Sequence, residues 1–297
     1  LTYATLATGQ VPGTARLALA MGIAAFAFDV FAGRRSLNPA SMGRSLALNV
    51  VLPAAILVLT WSLAAKQTPV AIDIALSLAI VGAIGLYLYR LAFAPIAHTS
   101  VLVLLIASVG CHLALQGIGL VFFGAEGQRG PAVSNAAFTV GPLRVTGQSM
   151  AVYAMTVALI AALWLFFGFT LYGKALRATA INRLGARLVG IRTAMSGQIA
   201  FLLAAVIGAI SGILIVPITT LYYDTGFLIG LKGFVAAIIG GLISYPLTAV
   251  AALLVGSVEA FSSFYASNFK EVIVFALLIP VLLLRSLASP STEEEKD

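Results

Sequence analysis

Apolar runs of about twenty residues, separated by short polar or basic stretches, dominate this chain. A helix needs about twenty mainly apolar residues to cross the bilayer core. Eight stretches meet or approach that length: Leu17–Phe31, Leu46–Ala64, Val70–Tyr89, Val101–Phe123, Met150–Leu171, Ile199–Leu221, Phe234–Ala260 and Val272–Leu287. The first is short and carries Asp29. The seventh is long and is interrupted by Gly240, Gly241 and Pro246. A glycine pair and a proline inside a membrane segment predict a discontinuous helix, tolerated where protein or a cavity takes up the freed backbone groups. The pattern predicts an all-α integral membrane protein with about eight transmembrane helices and a broken or re-entrant helix near 230–246.

Composition excludes a water-soluble domain. Hydrophobic residues make up 61% of the 297, charged residues only 9%, against about 25% charged in soluble domains, and mean hydropathy is +1.08. The net charge of +7 is concentrated in short loops between spans, where it sets orientation and does not suggest nucleic-acid binding. The first residue is leucine, which points to a missing or unusually encoded start; no signal-peptide cleavage pattern is read.

The stretch 173–191, GKALRATAINRLGARLVGI, is the longest polar interruption in the middle of the chain. With Arg192 it carries five cations (Lys174, Arg177, Arg183, Arg187, Arg192) and no acid. Positive charge in a short loop marks the cytoplasmic side. Ala178, Leu184, Leu188 and Ile191 recur with helical spacing, and Ala180, Gly185, Ala186 and Gly190 leave room for close contact. The segment reads as one docking helix on the cytoplasmic membrane surface. With 173–196 inside, Arg34, Arg35, Arg44 and Arg90 also fall inside, while Lys66 and the Gly-, Ser-, Asn- and Pro-rich loop Gly124–Gln148 fall outside, the latter suited to a periplasmic hairpin or docking surface. One domain, 1–290, is then followed by a polar acidic tail, 291–297 (STEEEKD), expected to be disordered. The side of that tail depends on whether 230–241 crosses or dips and returns.

Little here could catalyse a reaction. The chain has no GxxxxGK[ST] phosphate loop, no HExxH and no GxSxG. His98 and His112 are far apart, Cys111 stands alone in an apolar run, and neither a metal centre nor a bound cofactor is expected. Asp29, Asp73 and Glu259 are the few acids inside apolar segments, where a proton-coupled carrier more often shows paired acids. Asn49 and Gln116 are expected to form interhelical hydrogen bonds.

Four blocks together resemble the permease subunits of bacterial branched-chain amino acid ABC importers, most closely the LivH-like branch. The first is YRLAFAPIAHTSVLVLLIASVGCHLALQGIGLVFFG. In the basic loop, Gly173, Arg177, Ala178, Ala180, Asn182, Ala186, Leu188, Gly190 and Ile191 occupy the family's G-x-x-x-R-A-x-A-x-(N/D)-x-x-x-A-x-L-x-G-I. GLKGFVAAIIGGL (230–242) follows G-x-K-x-F-x-A-A-x-x-G-G, and GSVEAFSSFYASNFKEVIVFALLIPVLLLR follows a G-x-x-E-A, aromatic, K-(D/E) and final-helix pattern. The likeness runs from about Tyr89 to Leu287. Two departures stand out: neither Ile181 nor Asn182 is acidic, and the family's N-F-A-H-G is reduced to Asn38, Ala40 and Gly43 within LNPASMG.

The resemblance implies an ABC importer permease fold in the bacterial inner membrane, without catalysis of its own. It implies as partners a second, LivM-like permease, two cytoplasmic ABC ATPases that hydrolyse ATP, and a periplasmic amino-acid-binding protein. The implied ATPase-coupling residues are Gly173, Arg177, Ala180, Asn182, Ala186 and Gly190, with Gly173 and Gly190 as turn points. Arg183, Arg187 and Arg192 read equally as lipid-phosphate contacts. Lys232, Gly233, Phe234, Ile238, Gly240 and Gly241 are the candidate translocation path, its glycines serving either close backbone approach or helix packing. Phe234, Ile238, Ile239 and Leu242 suit an apolar side chain, while Glu259 and Lys270 are expected to pair structurally. A urea or amide permease, a ribose-type sugar permease and an ion-coupled secondary carrier stay open as alternatives.

Overall fold

In the computed structural model the apolar stretches are helices, and the helices break where backbone chemistry requires it. Residues 1–31, 39–64, 69–134, 136–140, 143–241 and 245–288 are described. Arg34, Arg35, Asn38, Lys66, Leu242 and the acidic tail lie outside them. The elements are α1 (Thr2–Ala7), α2 (Gly13–Phe31), α3 (Pro39–Leu46), α4 (Leu52–Ala64), α5 (Val70–Leu88), α6 (Val101–Phe123), β1 (Ala137–Val140), β2 (Leu143–Thr146), α7 (Gly147–Phe169), α8 (Leu171–Ile181), α9 (Arg183–Leu188), α10 (Thr193–Ile215), α11 (Thr225–Ile239), α12 (Tyr245–Tyr265), α13 (Lys270–Ala276) and α14 (Leu278–Ala288). Among the described residues seven helices are long and apolar enough to cross a membrane, and Ala47–Leu63 and Thr225–Ile239 are shorter apolar helices. The protein is an all-α integral membrane protein.

Two π-helical turns have proline neighbours. The first, Ala47–Val51, joins α3 to α4. Pro53 has no N–H to offer the carbonyl of Asn49 four residues earlier, and its ring crowds that carbonyl. Gly22 of α2 lies against the same carbonyl, where a side chain would collide. The second turn, Tyr89–Phe93, ends α5 just before Pro95, and the Ala94 N–H reaches back 2.7 Å to the Tyr89 carbonyl.

The chain divides into two compact units, Leu1–Thr156 with Phe166–Tyr223, and Val157–Leu165 with Asp224–Asp297. In the first, α5 is the central helix, packed by α1, α2, α4 and α10. Small residues make that packing close, as membrane helices require: Ala15 and Ala18 of α2 bury with Ile80, while Gly82 and Gly85 of α5 face Leu202 and Ala205 of α10. A second cluster joins Tyr3 and Ala4 to Ile213, Val216 and Leu221.

The loop 124–148 contains the expected hairpin, β1 paired antiparallel with β2 from Ala137↔Thr146 to Val140↔Leu143. It is tied to the helices by the buried Gln148. Its amide oxygen accepts from Val133 N–H at 2.9 Å, and its amide nitrogen donates to the Leu214 carbonyl at 2.8 Å.

In the second unit, 234–260 is two antiparallel helices. α11 ends at Gly240, Gly241 takes φ +88°, and α12 returns alongside. The break falls at the predicted glycines, and the broken or re-entrant segment expected near 230–246 takes the form of a helical hairpin. Val235 and Ala236 bury against Ala251 and Val255 of α12 and Val274 of α13.

Candidate functional site

The basic loop is two short helices, correcting the single docking helix read from its periodicity. Thr170 starts α8, accepting the Gly173 N–H at 3.0 Å on its hydroxyl. Asn182 then takes an extended backbone (φ −146°, ψ 102°), ends α8 and caps α9, its Oδ1 accepting from Gly185 N–H at 2.8 Å. Asparagine is among the best N-cap residues, so the sequence motif and the break share a cause. Gly190 ends α9 with φ +86°. The Ile191 N–H bonds the Ala186 carbonyl at 2.9 Å and the Gly190 N–H bonds that of Arg187 at 3.0 Å, a helix-closing pattern that favours glycine.

Gly190 is therefore the turn point the sequence suggested. Gly173 is not: the turn lies at Thr170, and Gly173 is needed because a side chain there would meet the Phe166 carbonyl. Ala186 is buried within its own chain, whereas Ala180 is exposed beside Ile181, Leu184 and Leu188.

Three loop arginines, Arg177, Arg183 and Arg187, bond to groups of their own chain. Arg177 donates to the Phe167 carbonyl and Arg183 to the Ala97 carbonyl. Arg187 donates through Nε to Thr193 Oγ1 at 3.1 Å, and its Nη2 lies 2.8 Å from His98 Nδ1. The loop is thus fastened to the turn that follows the Tyr89–Phe93 π segment.

Arg90, expected in a polar loop, instead sits in that π-turn and pairs with Asp29 of α2. Asp29 also accepts from Ser45 Oγ at 2.6 Å, and Asn49 Oδ1 accepts from Arg90 Nη1 at 3.0 Å. Asn49 therefore forms the interhelical bonds expected of it. Gln116 forms none among the described residues. A charge inside a membrane segment is costly unless partnered, and this cluster supplies the partners.

In the second unit three charged residues meet. Lys232 Nζ of α11 lies 2.6 Å from Glu259 Oε1 of α12 and 3.4 Å from Glu271 Oε1 of α13. The expected partner of Glu259, Lys270, is replaced by Lys232. The members come from two of the four sequence blocks: Lys232 from GLKGF, and Glu259 and Glu271 from the GSVEA and K-(D/E) parts of the last. Their convergence was missed because each block was read along the chain; Glu271 was signalled only by its place in its block. Gly240 is a packing glycine, where a side chain would collide with the Thr248 backbone, whereas a side chain at Gly233 would meet open space. Phe234 beside it is 55% exposed.

Apolar spanning helices, charges neutralised inside them and a basic two-helix loop define a multi-pass membrane protein. Residues 13–282 match the family model described as branched-chain amino acid transport system / permease component. The chain belongs to that family. It is 31% identical over 219 residues, 70% of each chain, to the high-affinity branched-chain amino acid transport system permease protein LivH of Escherichia coli K12. It is 31% identical over 216 residues, 69% of each chain, to LivH of Salmonella typhimurium. With the permease protein BraD of Pseudomonas aeruginosa the identity is 28% over 231 residues, 74% of this chain and 75% of the relative. No solved structure matches the chain. The protein is accordingly a multi-pass inner-membrane permease component of a transport system.

Proposed function

We propose that this chain is one membrane half of an ATP-driven importer of branched-chain amino acids. The observation that carries the reading is the family match over 13–282, joined by relatives whose names specify branched-chain amino acid permeases. The chain is a non-catalytic translocation subunit of one domain, 1–290. A second, LivM-like permease completes the pathway, two cytoplasmic ATPases hydrolyse ATP, and a periplasmic binding protein delivers substrate.

α8 and α9 form the ATPase-coupling element on the cytoplasmic side. Support comes from their exposed apolar row, Ile181, Leu184 and Leu188, which is costly in water and suits a docked partner. The loop 124–148 faces the periplasm. The antiparallel α11–α12 hairpin favours a tail on the cytoplasmic side, because α12 undoes whatever depth α11 reaches before the last helices cross. The exposed α11 face at Gly233 and Phe234 contributes to the path, its apolar character suited to a leucine-like side chain.

The test is titration of the cognate binding protein with leucine, ribose and urea, followed by uptake into vesicles containing the whole assembly. Leucine, isoleucine or valine uptake dependent on ATP is expected. Tight urea or amide binding without leucine binding overturns the cargo. Uptake driven by an ion gradient without ATPases overturns the importer.

A further inference from the structure

A cavity of about 380 Å³ lies beneath the first helix of the basic loop, walled by α8, α10, α6 and the turn after α5. That size falls within the roughly 300–1,000 Å³ typical of ligand sites. Its walls are mostly apolar. The Phe201 ring of α10 lies tilted against Tyr89 at 5.3 Å and Phe93 at 4.8 Å, and Leu104 and Leu176 close the sides. Tyr89 lies flat on Gly197, where a side chain would collide with its ring. Ala180 and Ala200, both exposed, line the opening.

One cation borders this apolar space. Arg183 uses Nη1 on the Ala97 carbonyl, but its buried Nε finds no partner among the described residues. No carboxylate there pairs with any of the five loop cations; the ion pairs present join Arg90 to Asp29 and Lys232 to two glutamates. The remaining polar groups are hydroxyls, with Thr179 Oγ1 3.2 Å from Ser196 Oγ. The occupant must therefore be long and apolar at one end and anionic at the other. Inorganic phosphate satisfies the arginine but leaves the aromatic walls bare; a neutral acyl chain does the reverse.

The geometry points to a bound anionic phospholipid, its acyl chain between α8 and α10 and its phosphate at Arg183. Basic pockets between membrane helices suit such headgroups. The lipid is a structural ligand that wedges α8 at a fixed angle to α10, and its binding does not depend on the cargo carried. Arg183 is then held from two sides, by the Ala97 carbonyl and by the lipid.

The test uses the permease in its complete assembly, reconstituted with equal phosphatidylglycerol and phosphatidylcholine. Native mass spectrometry after detergent exchange reads which lipid is retained. Wild type is expected to retain phosphatidylglycerol at least tenfold over phosphatidylcholine, and excess inorganic phosphate is expected not to displace it. Arg183→Gln is expected to lose at least tenfold in phosphatidylglycerol retention and Arg183→Lys to keep most of it. Phosphatidylglycerol carrying a photoreactive acyl chain, used on wild type, should crosslink to peptides containing Leu176 or Phe201, a readout independent of how any variant folds. Equal retention of both lipids, displacement by phosphate, unchanged retention in Arg183→Gln, or crosslinks that avoid both peptides each overturn it.

Discussion

Lys232 Nζ and Glu259 Oε1 are 2.6 Å apart, joining the arms of the α11–α12 hairpin well away from the turn at Gly240 and Gly241. Gly240 meets Thr248 nearer that turn, so the hairpin is fixed by backbone packing at one end and by charge toward the other.

Removing the cation alone leaves Glu259 and Glu271 facing each other. Lys232→Met is expected to lower the thermal stability of the purified permease, while Lys232→Met with Glu259→Leu recovers part of the loss. A double-mutant cycle should give a coupling of about 0.5–3 kcal/mol, toward the lower end because the pair is partly exposed (19% and 30%). Additive effects would place the pair outside the forces that hold the hairpin.

The Asp29–Arg90 pair makes a parallel case in the first unit. Asp29→Leu strands a guanidinium among apolar helices and is expected to reduce the amount of folded protein in the membrane. Asp29→Asn keeps an acceptor for Ser45 and Arg90 and should be milder. Size-exclusion profiles of the extracted protein at increasing temperature distinguish the two.

Asn182 and Gly190 are expected to act on the loop locally. Asn182→Ala removes a cap worth about 1 kcal/mol, and Gly190→Val forces a β-branched residue to φ +86°, costing about 1–2 kcal/mol or more. Both variants should reach the membrane at normal levels yet show several-fold lower substrate-stimulated ATPase activity in the assembly. Unchanged activity in both removes the loop from coupling.

Sidedness is checked by single cysteines in a Cys111→Ser background. Phe138→Cys in the hairpin is expected to react with an impermeant reagent added to intact cells. Leu184→Cys and Leu287→Cys should react only after permeabilisation. Labelling of Leu287→Cys from outside reverses the topology of the last helices.

Much of the fold was legible because bilayer length and apolar content are properties of contiguous residues. The eight stretches, the break at Gly240 and Gly241 and the hairpin in 124–148 all follow from local composition. What was not legible depended on residues distant in sequence. Arg90 looks like a loop cation until Asp29 and Asn49 are brought beside it, and Lys270 looks like the partner of Glu259 because it is nearer along the chain than Lys232. The split of the loop at Asn182 was hidden differently. Helical spacing continues through 173–191 and is blind to one residue leaving the helical region, although asparagine three residues before Gly185 is a capping signal.

That split changes how force passes through the loop. A continuous helix carries a push along its axis, but α8 and α9 meet at one extended residue, so displacement of α9 becomes rotation about the φ and ψ of Asn182. The tethers of α9 lead elsewhere: Arg183 to the Ala97 carbonyl, and Arg187 to His98 and Thr193. Load on α9 would therefore bear on the turn after α5 and the start of α10, two helices that pack along their lengths, while α8 is held separately, by Arg177 on the Phe167 carbonyl and Thr179 on Ser196. The loop is two short rods on one joint, each tied to the core by its own bonds.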